Sequence, residues 1–388
     1  MNKEKYYDTD ELYFSYIYSN RIYKEIDEHV SDPISGGVNY IGQFVNNFSV
    51  LIENIGSKSE DSCSYFLKRF DECEDSIDKY IYLIMNPPLT DCILWPVDIV
   101  RLNETQRSKN TLYVSNSYSY VLNDKQEDKG QYALVFPYEG NIHDSNLNSV
   151  ISQLYQSEAE IIHLVNHRQT KIRKLAYDVV NAIDDINKQG YAYLDMHLSR
   201  LYTRGKNQIF FDFSNLIYPL KSFYQKNDKT ANIINIHRYP LEYLSPNIAS
   251  QNLLKITFDE QNYSIAALLF YMFFGKRFPL EGSLVHGSGI DKIGNYAAYL
   301  NFLLTEPGIQ FIYSDDNSNP NILSEDEGEF LNELWEELPE SLKELFVYTL
   351  STKPKQVNNK TLVLLKNSSL PTASIWKKSF ENLNWNKI

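Results

Sequence analysis

A chain of 388 residues with 43% hydrophobic content carries enough apolar material for one large core or two ordinary ones. Its formal net charge of −13 opposes sequence-independent binding to nucleic acid. No apolar run reaches the roughly 18 residues of a membrane span, and the first residues, MNKEKYYDTDELYF, are polar and acidic with no signal-peptide core or anchor.

Three cysteines, Cys63, Cys73 and Cys92, leave an odd thiol and no CxxC, which argues for a reducing cytoplasm and against structural zinc. His163 and His167 share a helical face at i, i+4, but no HExxH surrounds them, so a solvated or packed helix face is the expectation. The 30 tyrosines would offer stacking platforms for bases, yet without a basic groove compositional bias is the simpler account.

In chain order, residues 1–20 are expected to form a polar, helical extension, followed by a strand-like segment, RIYKEIDEHV. In SDPISGGVNYIGQF, Gly36-Gly37 lies between two β-like runs, either as a plain hairpin turn or as a turn whose backbone approaches an anion. VNNFSVLIENIG and SCSYFLKRF are two strands, and the second carries Lys68, directed either to solvent or into a cleft. Glu74 to Met85 has Ile77, Ile81 and Ile84 on one helical face and ends at Pro87-Pro88. LWPVDIV and Gln131 to Pro137 are strands, and the long polar hairpin between them is an insertion.

Two helices, Asn148 to Asn166 and Thr170 to Lys188, follow. The second has Leu175, Val179, Ala182, Ile183 and Ile186 at helical spacing, and Gln189-Gly190 stops it. Next come a strand, a loop with Asp195, a hairpin turning at Arg204 and Gly205, and Asp212-Phe213-Ser214. YPLEYLSPN at 239–247, an apolar helix from Tyr263 to Gly275, a loop and short helix within 283–324, and the closing segments LPESLKELFVYTLS and SLPTASIWKKSF complete the chain.

Helix, glycine, strand, acidic loop, hairpin and Asp-Phe-Ser in this order resemble the catalytic core of the protein-kinase-like superfamily. Where that family has His-Arg-Asp, an Asn five residues on and Asp-Phe-Gly, this chain has Tyr193-Leu194-Asp195, Arg200 and Asp212-Phe213-Ser214. YPLEYLSPN resembles the Pro-Glu-Tyr-Met-Ala-Pro-Glu stretch with Asn247 for the last Glu, and Leu370 stands where the closing helix has an Arg. That Arg and that Glu would form one ion pair, so losing both ends together strands no buried charge. Near the start of the central helix the expected Asp is Gln261. The order of the early strands resembles divergent bacterial Ser/Thr kinase-like proteins.

The resemblance implies an α+β, bilobal protein-kinase-like fold with a small β-rich N-lobe at 21–138 and a larger helical C-lobe at 139–388. It implies ATP in the cleft between lobes, with Gly36 and Gly37 over the phosphates, Lys68 on the α- and β-phosphates, and the backbone of Phe136, Pro137 and Tyr138 as the adenine-holding hinge. Glu74, Asp75 and Asp78 are the acids from which the partner of Lys68 would come. Asp195 would accept the substrate hydroxyl proton and Asp212 would hold Mg²⁺.

Arg200 has three readings: a phosphate ligand replacing a metal's charge, a salt bridge to Asp195 or Asp212 that closes the site, or a solvated side chain. Two functions stay open: an ATP-dependent protein kinase acting on Ser or Thr of a protein partner, or a pseudokinase scaffold without phosphotransfer. The aminoglycoside phosphotransferases share the core, but the YLSP segment and closing helices look less like theirs.

Overall fold

The computed structural model describes residues 12–25, 51–54, 64–69, 77–103, 132–137, 145–156, 162–196, 198–204, 208–211, 213, 217–220, 243, 258–280, 282, 311–313, 321, 323, 325–351 and 370–383. The fold is α+β and divides into two units, residues 1–144 and 145–388.

The first unit is built on strands β1 (Leu12–Ser15), β2 (Ile22–Glu25), β3 (Leu51–Asn54), β4 (Ser64–Arg69), β5 (Asp98–Arg101) and β6 (Tyr132–Pro137), with helix α1 (Ile77–Met85) between β4 and β5. All pairings are antiparallel and the strands close into a barrel in the order β1-β2-β3-β4-β6-β5. Residues 12–15, inside the stretch expected to be a helical polar extension, are therefore a barrel strand. The reason is periodic: Tyr13 is buried between the exposed Phe14 and half-buried Leu12, and it pairs in register with buried Tyr23 of β2. Tyr13, Tyr23, Val100, Leu102, Ala133 and Val135 form one core cluster.

A carboxylate sits inside this unit. Asp98 is fully buried; it accepts hydrogen bonds from the Tyr23 hydroxyl (2.7 Å), the Ser15 hydroxyl (2.8 Å) and the Ile99 N–H (2.8 Å), and lies 3.8 Å from Arg21 Nη1. Burial raises its pKa against the lowering effect of these partners. Residues on β1, β2 and β5 are thus fastened through one acceptor. Helix α1 buries Tyr80, Leu83 and Ile84, and its last turn is satisfied by the Trp95 indole N–H donating to Leu83 O at 2.9 Å.

The second unit opens with the two-residue strand β7 (Ser145–Asn146) and helix α2 (Leu147–Gln156), capped by Asn146 Oδ1 accepting the Asn148 N–H at 3.1 Å. Helix α3 runs from Ile162 to Lys188, so it begins eight positions before the expected Thr170, and the expected first helix, Asn148 to Asn166, ends instead at Gln156, its last residues belonging to α3. The five apolar positions read from the helical spacing are all buried. Gly190 at φ +88° ends the helix in the left-handed region that only glycine enters cheaply, with its N–H donating to Asn187 O at 2.9 Å.

Strand β8 (Tyr191–Tyr193) pairs with β11 (Ile217–Pro219), while β9 (Leu201–Arg204) pairs with both β7 and β10 (Gln208–Phe211). Helix α4 (Phe258–Phe273) is apolar on nearly every face and correspondingly buried all round. Helices α5 (Glu325–Glu336), α6 (Glu340–Leu350) and α7 (Ala373–Glu381) complete the unit. Phe270, Phe273, Phe274, Phe346, Trp335 and Trp376 form the aromatic packing that joins α4 to α5, α6 and α7. Among the described residues no helix is long and apolar enough to cross a membrane.

Candidate functional site

The loop after β8 is set by three anchors. Tyr193, at the end of β8, is fully buried and packs edge-on against Phe211 of β10 with ring centroids 4.9 Å apart. Its backbone N–H donates to Gln261 Oε1 of α4 at 2.8 Å. Gln261 is in turn locked to Asn187 in the last turn of α3: Asn187 Nδ2 donates to Gln261 Oε1 at 3.1 Å and Gln261 Nε2 donates to Asn187 Oδ1 at 3.0 Å. Asn187 Nδ2 also reaches Tyr191 O at 2.9 Å. A fully buried carboxamide thus holds both ends of β8, through 74 residues of sequence separation.

Sequence reasoning noticed Gln261 only as a departure from an expected Asp and did not single out Asn187. The available signal was a polar run, Asp259 to Asn262, in the first turns of a helix that is otherwise largely apolar. At this place an acceptor is what the Tyr193 N–H requires, and an amide oxygen meets that need as a carboxylate would. The neighbouring Asp259 has its pKa raised by burial, against the lowering effect of the Asn262 side chain and of the hydrogen bond from the Leu370 N–H. The backbone at Leu370, where the resemblance implies an Arg, is therefore tied to α4 by its amide.

Two residues beyond Tyr193, Asp195 is buried, with 11% of its side chain exposed. Arg200 closes the short 3-10 turn Leu198–Arg200 and leads directly into β9. Its Nε lies 3.5 Å from Asp195 Oδ2, and 36% of its side chain is exposed. Of the three readings of Arg200, the salt bridge to Asp195 is the contact observed.

The remaining predicted residues are placed as follows. Lys68 lies on β4 opposite Leu134 of β6, with its side chain outside the described residues. Phe136 is fully buried near the end of β6, opposite Phe66. Gly36, Gly37, Tyr138 and Asp212 lie outside the described residues, although Phe211 and Phe213 on either side of Asp212 are fully buried. Of the three candidate acids for Lys68, Asp78 is exposed on α1, and Glu74 and Asp75 lie outside the described residues. Of YPLEYLSPN, Tyr243 is described: it is buried, and its carbonyl accepts the Ser264 hydroxyl of α4 at 2.9 Å.

Among the described residues no three His, Cys, Asp or Glu side chains gather as a metal site. At Arg200, where the resemblance implies a second metal ligand, the guanidinium has no lone pair to offer and repels a cation, so a second Mg²⁺ does not fit that position. No family model matches the chain, and no curated protein matches it.

Proposed function

We propose that the chain is a divergent, bilobal protein-kinase-like protein that binds ATP with Mg²⁺ and transfers the γ-phosphate to Ser or Thr of a protein partner in the cytoplasm. The observation that supports this most is the setting of Asp195: a buried carboxylate two residues after Tyr193, whose N–H donates to Gln261 of α4, and shortly before the β9–β10 hairpin. Rigid placement of a carboxylate is what acceptance of a hydroxyl proton requires.

In this reading Asp195 takes the proton of the attacking hydroxyl, whose oxygen bonds to the γ-phosphorus as the bond to the β-phosphate bridging oxygen breaks and ADP departs. Lys68 neutralises charge on the α- and β-phosphates. Gly36 and Gly37 approach the phosphates through their backbone, and the backbone of Phe136 and Tyr138 holds adenine. Asp212 would hold Mg²⁺, which would supply charge neutralisation at the transferred group.

A second reading is favoured by one contact, the ion pair between Asp195 and Arg200 at 3.5 Å. A base committed to a guanidinium suits a pseudokinase scaffold that binds a partner without phosphotransfer. The two separate on incubation of the purified chain with γ-labelled ATP and Mg²⁺. Autophosphorylation that disappears in Asp195→Ala supports the kinase. ATP-dependent thermal stabilisation without label transfer, to the chain or to a generic Ser/Thr substrate, leaves the scaffold.

A further inference from the structure

The methionines of the described residues occupy two kinds of place. Met196 and Met272 are fully buried, whereas Met85, the last residue of α1, is 56% exposed. The helix end that carries it is well fastened. The Trp95 indole N–H and the Asn86 N–H both donate to Leu83 O, at 2.9 and 3.2 Å, and Asn86 Nδ2 donates to Tyr82 O at 2.8 Å. The Tyr18 hydroxyl, from the turn between β1 and β2, donates to Met85 Sδ at 3.8 Å. A thioether sulfur is a weak acceptor, and at that distance the contact is loose.

Tyr18 is held in place by other groups. Its N–H donates to Ser15 Oγ at 2.8 Å, its carbonyl accepts the Arg21 N–H at 3.2 Å, and the Arg21 guanidinium lies 3.9 Å from the centre of its ring. Ser15 Oγ in turn donates to the buried Asp98 at 2.8 Å. A preset hydroxyl donor therefore faces an accessible sulfur across a gap. An oxygen added to Sδ on the Tyr18 side falls within that gap, off the line between the two atoms. There it meets the hydroxyl at the ordinary O–H···O separation of about 2.7–2.8 Å.

We propose that Met85 is a reversible oxidation site whose sulfoxide oxygen accepts the Tyr18 hydroxyl and latches the end of α1 to the β1–β2 turn. The oxidant is hydrogen peroxide. A lone pair of Sδ attacks one peroxide oxygen, an S–O bond forms and the O–O bond breaks. The departing hydroxide takes up the proton of the transferred oxygen and leaves as water. Sulfur is oxidised by two electrons and peroxide is reduced by two. A soft, weak acceptor is thereby replaced by a strongly polar one, and a thiol-dependent sulfoxide reductase reverses the change. A sulfoxide in a core disrupts packing, but at the exposed Met85 it buries no polar atom. The latch involves no nucleotide and is independent of the ATP-binding reading.

The test is titration of the full chain with hydrogen peroxide, followed by dithiothreitol to restore the thiols while leaving sulfoxides in place. Peptide mapping by mass spectrometry then assigns the added oxygen among the four methionines. Met85 is expected to oxidise at least about tenfold faster than Met196 and Met272, because susceptibility follows exposure. Amide exchange at Leu83, Ile84 and Met85 is expected to slow by about threefold to tenfold in the oxidised chain, and methionine sulfoxide reductase should restore the original rates. Tyr18→Phe, which keeps the ring beneath Arg21, should lose the slowing, and Met85→Leu should be unmoved by peroxide.

Oxidation of Met85 no faster than that of the buried methionines overturns the site. Slowing that persists in Tyr18→Phe overturns the latch, because the sulfoxide then acts without the hydroxyl. Exchange that quickens equally in wild type and Tyr18→Phe makes the sulfoxide a lesion and also overturns it. An equal response in Met85→Leu assigns the effect to another residue and overturns both.

Discussion

Replacing Gln261 by Leu tests how the Asp195 loop is held. The substitution keeps the volume near that of the native side chain and removes its amide from a position with no solvent access. Two groups then lose their partners: the Tyr193 N–H, which now donates at 2.8 Å, and Asn187 Oδ1, which now accepts at 3.0 Å. Asn187 Nδ2 retains Tyr191 O at 2.9 Å and is not stranded. At about 1–3 kcal/mol for the buried Tyr193 N–H, and about 1 kcal/mol or less for Asn187 Oδ1 on a half-buried side chain, the expected destabilisation of the second unit is about 1–4 kcal/mol. The assay is urea unfolding with native-state hydrogen exchange, since a chain of two units need not unfold in one step. The Tyr193 amide should exchange faster by the factor matching that loss, and Asn187→Ala should add little on top of Gln261→Leu because the two act as one network. An unchanged urea midpoint together with a still-protected Tyr193 amide would show that the loop is held by packing alone and refute the reasoning.

Asp98→Ala removes the acceptor shared by Tyr23 and Ser15 and should cost the first unit about 3–5 kcal/mol in chemical denaturation, with Asp98→Asn milder because it keeps an acceptor. Arg21, with 36% of its side chain exposed, contributes little of this, so Arg21→Ala should change the midpoint only slightly. Burial raises the Asp178 carboxyl to about 6 from 3.8, and its Oδ2 finds no hydrogen-bond partner among the described residues. Its favourable contribution is therefore present below the unfolded pKa and lost as pH rises through about 6, so Asp178→Asn should stabilise by about 1–3 kcal/mol at pH ~8 and by little at pH ~4 in parallel thermal melts. Gly190→Ala places a Cβ at φ +88° and should cost about 1–2 kcal/mol, although no atom lies within 4 Å of that Cβ; no loss of melting temperature would mean that the backbone relaxes there.

The elements that announced themselves in the sequence are those whose signal is local. The apolar spacing of α3, its stop at Gly190, the antiparallel pair around residues 205–207 and the apolar stretch of α4 from Ile265 onward each follow from side-chain periodicity or from a glycine that permits positive φ. The positions of Asp195 and Arg200 beside those elements follow from chain order for the same reason. The strand at Leu12–Ser15 did not announce itself, because four residues alternating around one buried tyrosine read as polar until β2 and β5 lie on either side of them. Asp98 likewise gives no sign in the sequence that it is the fully buried acceptor on which β1 and β2 meet β5. Tertiary structure alone decided that Gln261 supports the start of the Asp195 loop and that the partly exposed Arg200 comes within 3.5 Å of Asp195. A hydrogen bond depends on the distance and direction between two atoms, and neither is written in the spacing of residues along a chain.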